Sequence, residues 1–406
     1  MDNLISPVLD CPEAPASAPD RTPSTAPVSF RRAWWAVIAR FLIHGLAVST
    51  WVSRIPSVKA ALHLGDGAFG FCLFGTAVGS VVGIPVCGWV VTRHGSRRAC
   101  TWSSAGLCLS LILPALASDA MSLFAALVVF GLMLGGNDVA MNSQAVSVEK
   151  LLGVRTMSRF HAMFSLGGIA GAAGGGWIAS HGVPARDHLG VMAAIFLTFS
   201  LATAPLLMEA APQARGRAAR LRLRSMPTAL LVLCAIGFCI FLSEGAIADW
   251  TALYLRQVLR AGPGLAAMGY AVFSAAMAVF RLGGDWITNR LGFRWTVRGG
   301  ALLAAGGLTS ALLVHSPYWA LPGFALVGVG FSSIIPLVFA AGGRIRSVSE
   351  GAGVAAVSGL GYLGFLVGPT AIGFISELTS LRAGLSLVVL LSLLAAGLVQ
   401  AADTVE

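Results

Sequence analysis

Charged residues are scarce in this chain: Asp, Glu, Lys and Arg make up 11% of its 406 residues, against 56% hydrophobic residues and a mean hydropathy of +0.82. So little charge cannot cover the surface of a globular protein in water, which excludes an ordinary soluble enzyme or binding domain and points to a bilayer. The seven cysteines stand apart, with Cys72, Cys87, Cys108, Cys234 and Cys239 inside apolar runs and no C-x-x-C pair, so neither a disulfide framework nor a metal site is expected. G-x-x-x-x-G-K-[ST], H-E-x-x-H and G-x-S-x-G are also missing, which removes support for ATP-driven transport and for common membrane hydrolases. Gly359-x-Gly361-x-x-Gly364 does match a dinucleotide fingerprint, but it lies inside a continuous apolar run with no preceding strand and reads as packing glycines. Residues 1–30 lack apolar surface and hold Pro7, Pro12, Pro15, Pro19, Pro23 and Pro27. They are expected to form a disordered tail rather than a signal peptide.

From Trp34 onward the chain offers twelve apolar segments of spanning length: 34–55, 67–92, 99–118, 121–148, 160–180, 188–208, 228–255, 265–289, 295–315, 318–342, 352–376 and 380–402. An even number places both termini on one side. The loops on the tail side carry eighteen Lys and Arg residues, the opposite loops six, so the positive-inside rule predicts cytoplasmic termini in a bacterial inner membrane. The net charge of +10 is thus a matter of topology, and no nucleic-acid partner is expected. The richest basic stretch, Arg215 to Arg224, follows the sixth segment. It divides the chain into a six-helix bundle at 31–208, a cytoplasmic linker at 209–226 and a second bundle at 227–406.

The halves are related. His44-Gly45 with Trp51 corresponds to Glu244-Gly245 with Trp250, and Arg93-His94-Gly95-x-Arg97 to Arg290-Leu291-Gly292-x-Arg294, at offsets of about 200 residues. A parallel repeat of this kind marks transporters whose substrate site lies near the midplane between the repeats.

The turn Gly88-Trp89-Val90-Val91-Thr92-Arg93-His94-Gly95-Ser96-Arg97-Arg98 resembles the hallmark loop of the major facilitator superfamily, and Asp285 to Arg294 resembles its counterpart in the second half. The resemblance covers residues 31–402. It implies an all-α polytopic membrane protein with twelve transmembrane helices in two pseudo-symmetric six-helix bundles, working as a monomer. Thr92 stands where that family usually carries an aspartate that latches the cytoplasmic gate. Trp51-Val-Ser-Arg54-Ile-Pro56, Asn137-Asp138-Val-Ala-Met-Asn142 and Glu244-Gly245-x-x-x-Asp249-Trp250 are similar to the YbjJ type of bacterial inner-membrane proteins. The fifth segment lacks the Gly-Pro step, and the fourth the arginine near Gly131, of the family's drug antiporters. Multidrug antiport therefore loses weight.

Segment four is where the apolar pattern breaks, at Gly135, Gly136, Asn137, Asp138, Asn142, Ser143 and Gln144. Polar groups at that depth should face protein or a water-filled cavity. At about 100° per residue, Asn137, Asp138, Asn142 and Gln144 share an arc roughly 160° wide, one wet wall of a helix. The amides Asn137, Asn142 and Gln144 donate and accept without titrating, which suits contact with a hydroxylated or otherwise polar solute. Glu244 is near the middle of segment seven, with Asp249 about 7.5 Å further along. A carboxyl group at such depth holds a proton more readily than in water and yields it to an approaching cation. Glu244 is thus the first proton-coupling candidate, followed by Asp138 and Asp249; the alternative for each is a permanently paired packing carboxylate. Arg40 lies at the depth of Asp138 and is expected to pair with it.

His44 is either a substrate ligand or proton relay, or a hydrogen-bonded core histidine. Trp51 and Trp250 offer stacking faces to a solute or act as interface anchors. Gly88, Arg93, Gly95, Arg97, Arg290 and Gly292 are assigned to the gate, with Arg281 and Asp285 expected to pair four residues apart on one helix. The glycines Gly167, Gly171 and Gly175 form a small-x-x-x-small ladder for close helix approach. The expectation is a secondary transporter of a small polar solute, coupled to the proton gradient and needing no cofactor. The rivals are an uncoupled or exporting carrier of amphipathic compounds, and a transport-dead membrane sensor or polytopic enzyme.

Overall fold

A computed structural model describes residues 27–152, 157–209, 226–345, 348 and 350–402. Most of the predicted tail and of the predicted linker lies outside the described residues. Twelve helices are long and apolar enough to cross a bilayer: α1 (Arg31–Ala61), α2 (Asp66–His94), α3 (Ser96–Leu116), α4 (Ala120–Glu149), α5 (Arg159–Ser180), α6 (Ala185–Leu206), α7 (Thr228–Val258), α8 (Pro263–Gly284), α9 (Trp286–Leu313), α10 (Pro317–Gly343), α11 (Ala356–Leu378) and α12 (Leu381–Ala401). All twelve predicted segments are present. The first runs on past its predicted end through Pro56, since neighbouring helices can satisfy the carbonyl that a proline frees.

Local chemistry starts and stops these helices. Asp119 opens α4: its Oδ1 accepts from the Ser122 amide at 2.8 Å, while the Ser122 hydroxyl accepts from the Asp119 amide at 3.0 Å. The bond from the Ser122 backbone first of all, helped by the Ser122 and Ser118 hydroxyls, holds the Asp119 carboxyl below its ordinary pKa. Gly95 (φ 83°) ends α2 and Gly292 (φ 77°) breaks the helical run between α8 and α9. Both sit in the left-handed region that glycine alone enters at no steric cost. Four residues before each arginine of these turns stands a tryptophan: Arg93 lies 5.4 Å above the Trp89 ring and Arg290 5.2 Å above that of Trp286. The duplication read from sequence is therefore repeated in backbone angle and side-chain contact.

Hydrocarbon gives helices no hydrophobic reason to associate, so close packing of small residues has to hold them. The Gly167, Gly171, Gly175 ladder lies against Gly45, Ser49 and Ser53 of α1, and the Ser49 hydroxyl donates to the Gly167 carbonyl at 3.1 Å. In the first bundle α1 packs on α5 and α2 on α4; in the second α7 packs on α11 and α8 on α10. Gly361 and Gly364 serve the α7–α11 contact, against the Phe241 ring and the Phe238 carbonyl, which accounts for two of the fingerprint glycines as packing. The bundles meet where α2 touches α11, α5 touches α8 and α1 touches α7. Trp35, Trp89, Trp102, Trp286 and Trp295 are exposed at one end of the helices, Trp177, Tyr318 and Trp319 at the other, as aromatic belts at two interfaces would be.

Candidate functional site

A cavity of ≈ 350 Å³ lies between the bundles, lined by α1, α2, α4 and α5 from one and α7, α8 and α11 from the other. His44, Trp51, Asp138, Glu244, Asp249 and Arg281 all reach its wall. The three carboxylates nominated from sequence thus share one space.

Glu244 meets Arg281 across it, Oε1 to Nη2 at 3.9 Å, the outer limit of an ion pair, while Arg281 Nε donates to the Ser332 carbonyl at 3.1 Å. Arg281 thus reaches between helices, a contact not read from its four-residue spacing to Asp285. The side chain of Asp285 lies outside the described residues. Asp138 faces the cavity with the Asn142 amide beside it, Nδ2 donating to Oδ1 at 3.2 Å and to its backbone carbonyl at 2.8 Å. Asn142 therefore holds Asp138 rather than forming the wall itself.

Several candidates turn away from the cavity. Arg40, fully enclosed, does not pair with Asp138: it donates to the Ser200 hydroxyl and, at 2.7 Å, to the Ser200 carbonyl on α6. A guanidinium can satisfy its donors on neutral oxygens when geometry permits, so burial alone did not require an acid. Gln144 is a clasp. Its Nε2 donates to Ser96 at 2.7 Å and to the Met208 carbonyl at 2.9 Å, and its Oε1 accepts from the Met208 amide at 3.0 Å, tying α4 to the ends of α3 and α6. Gln144→Ala strands these buried backbone groups and is expected to cost about 1–3 kcal/mol, read as a lower melting temperature of the purified protein in detergent. Trp250 is buried against Phe69 of α2, ring centroids 6.1 Å apart, where the bundles meet. Trp51 keeps its place in the wall, and since both tryptophans are buried neither is an interface anchor.

Asn137 is 1% exposed and acts through His44. Its Oδ1 accepts from Ser104 at 2.6 Å and Ser103 at 3.2 Å, so its Nδ2 is the group that faces His44 Nδ1 at 2.9 Å. A donor on Nδ1 makes that nitrogen the acceptor and places the ring proton on Nε2. His44 is therefore a fixed N–H donor at the cavity wall.

The gate candidates separate similarly. Arg97 pairs at 2.8 Å with Glu209, just past the end of the first bundle, Thr92 donates to the Trp89 carbonyl of its own helix at 2.8 Å, and a Cβ on Gly88 would meet open space. The contacts between bundles gather at the opposite end: Glu377 of α11 accepts from the Gly67 amide of α2 at 2.9 Å, and Gly176 of α5 lies against Gly264 and Ala267 of α8. Sequence reasoning missed Tyr270, Tyr362 and Phe365, which also line the cavity. Scarcity was the available sign, because the chain has only 4 tyrosines, all inside the predicted apolar segments, and Tyr270 and Tyr362 lie away from the segment ends.

A family model described as the Major Facilitator Superfamily matches residues 36–345. An uncharacterised MFS-type transporter of Yersinia pestis is 36% identical over 353 residues, 87% of this chain and 91% of the relative. The membrane protein MosC of Rhizobium meliloti is 32% identical over 365 residues, 89% of this chain and 88% of the relative. A solved D-xylose–proton symporter superposes with a TM-score of 0.72 at 13% identity, over 91% of this chain and 97% of its own. The nucleoside transporter NupG gives the same TM-score at 12% identity, over 92% and 99%. At such identities these structures speak for the fold alone.

Proposed function

The chain belongs to the major facilitator superfamily, and from that membership we propose that it carries a small polar solute by alternating access, coupled to protons through Glu244. It is a multi-pass membrane transporter and not an enzyme. The observation that carries the coupled reading is Glu244 in the cavity wall with Arg281 opposite it at 3.9 Å. A proton and a guanidinium compete for the same carboxylate, so protonation would loosen a contact between α7 and α8 where the solute sits. Asp138 and Asp249 are the further proton-binding groups, and His44 and Trp51 touch the solute. Asn137, Asn142, Gln144, Arg40 and Trp250 hold the surrounding helices in place.

The excess of Lys and Arg in the loops on the tail side supports cytoplasmic termini in an inner membrane. With that orientation the contacts of Glu377 and Gly176 close the outer end, and the cavity belongs to an inward-facing state. Purified protein in liposomes, offered a panel of radiolabelled polar solutes with and without an imposed pH gradient, tests the reading. Uptake of at least one solute above its outside concentration, only with the gradient, is expected. The aromatic lining favours one rival, an uncoupled carrier of amphipathic compounds, which would show uptake that never exceeds equilibration.

A further inference from the structure

Three carboxylates, Asp138, Glu244 and Asp249, line the cavity, and among its described lining residues Arg281 is the one lysine or arginine. That arginine is already engaged by Ser332 and Glu244. Asp138 has the neutral amide of Asn142, and Asp249 has no protein partner among the described residues. The uncharged wall has the same polarity. Tyr270 lies within electrostatic reach of Glu244 and Asp249, and Tyr362 within reach of Asp138 and Glu244, with Tyr362 and Phe365 ring centroids 5.9 Å apart. Aromatic faces carry negative quadrupole density and attract cations. His44 gives the wall a donor of the opposite character: it is 5% exposed, its Nδ1 is occupied by Asn137, and its Nε2 proton has no protein acceptor among the described residues.

Deepening the transport reading, on which the choice of this cavity rests, we propose that the solute is an organic cation, a protonated amine or quaternary nitrogen on a hydroxylated frame. Its nitrogen sits against Asp249 with Tyr270 beside it, and one of its oxygens accepts the His44 Nε2 proton. An anionic solute would meet three carboxylates in a space partly withdrawn from water. A neutral one would leave Asp249 unanswered.

The test is equilibrium binding to the purified full chain in detergent, by calorimetry and thermal shift. It needs no gradient, so it fails or succeeds independently of transport. The probes are sets each matched on one frame: glucosamine, glucose and glucuronate, then 3-amino-1,2-propanediol, glycerol and glycerate, with choline as the quaternary probe. The expected result is binding by a cationic member and by no neutral or anionic partner. Asp249→Asn should weaken it about tenfold or more, the scale of losing one partner of a desolvated charge pair. His44→Gln should lower affinity for hydroxylated amines more than for tetramethylammonium. Melting curves of the unliganded variants confirm that they are folded, and Asp138→Asn, which should weaken binding as well, supplies a second variant. Binding of neutral or anionic members equal to the cations, no binding by any cation up to solubility, or folded Asp249→Asn and Asp138→Asn with unchanged affinity would each overturn the assignment. Amine binding without gradient-driven uptake would keep the cation site and reject the coupled transporter; gradient-driven uptake of a neutral solute alone would do the reverse.

Discussion

Liposomes containing Glu244→Gln are expected to lose uphill accumulation completely while still exchanging labelled for unlabelled solute. With one proton moved per solute, a pH difference of one unit, worth 1.36 kcal/mol, supports about tenfold accumulation. The glutamine keeps the size and hydrogen-bonding capacity of the side chain but cannot release a proton or attract Arg281. The ratio of inside to outside solute should therefore fall from about ten to about one. Exchange needs only the swing of the loaded carrier, and the solute contacts proposed at His44 and Asp249 are untouched. Accumulation retained at the native level would move the coupling role to Asp138 or Asp249. Loss of exchange together with accumulation would assign Glu244 to binding or to the gate.

The largest effect on stability is expected where α2 and α4 cross. A Cβ on Gly131 would fall on the Thr76 carbonyl oxygen, and one on Gly79 would fall on that of Val128. Neither obstacle is a side chain that can turn aside. Gly131→Val must push two backbones apart along a contact that also carries the 3.0 Å bond from Ser80 to the Gly131 carbonyl. A cost of about 3 kcal/mol or more follows, at the upper end for overpacked positions. It should appear as poor recovery of folded protein from membranes and a lower melting temperature in detergent. A melting temperature equal to that of the native chain would show that the two helices part more easily than their packing suggests.

Hydropathy, charge asymmetry and the internal offset made the twelve helices, their halves and the twin turns at Gly95 and Gly292 readable before any coordinates. Membrane solvation enforces those features one segment at a time, so they leave a local trace. The site was readable only in part. The carboxylates Asp138, Glu244 and Asp249 stood out because each is costly in an apolar run, and all three line the cavity. Partners were harder to read. The polar arc of α4 proved to be divided, with Asp138 toward the cavity and Asn137 and Gln144 toward neighbouring helices of their own bundle. A helical wheel gives the angle between side chains but not which helix occupies each direction. Arg40 found Ser200, a residue with no distinguishing feature in the sixth segment, and Arg281 reached Glu244 on another helix. A long flexible guanidinium can bridge helices, and linear spacing carries no sign of such a reach.

Under the duplication, α2 corresponds to α8 and α5 to α11, so the α2–α11 and α5–α8 contacts are two copies of a single seam. Rigid halves that rock against each other cannot part along one copy and stay joined along the other. A covalent staple across either one, for instance between engineered cysteines near Gly67 and Glu377, would consequently arrest both, and the transporter would be held shut at that face by one bond. The six cysteines of the described residues are all buried and free, so among the described residues such a pair would be the first that a water-borne oxidant reaches.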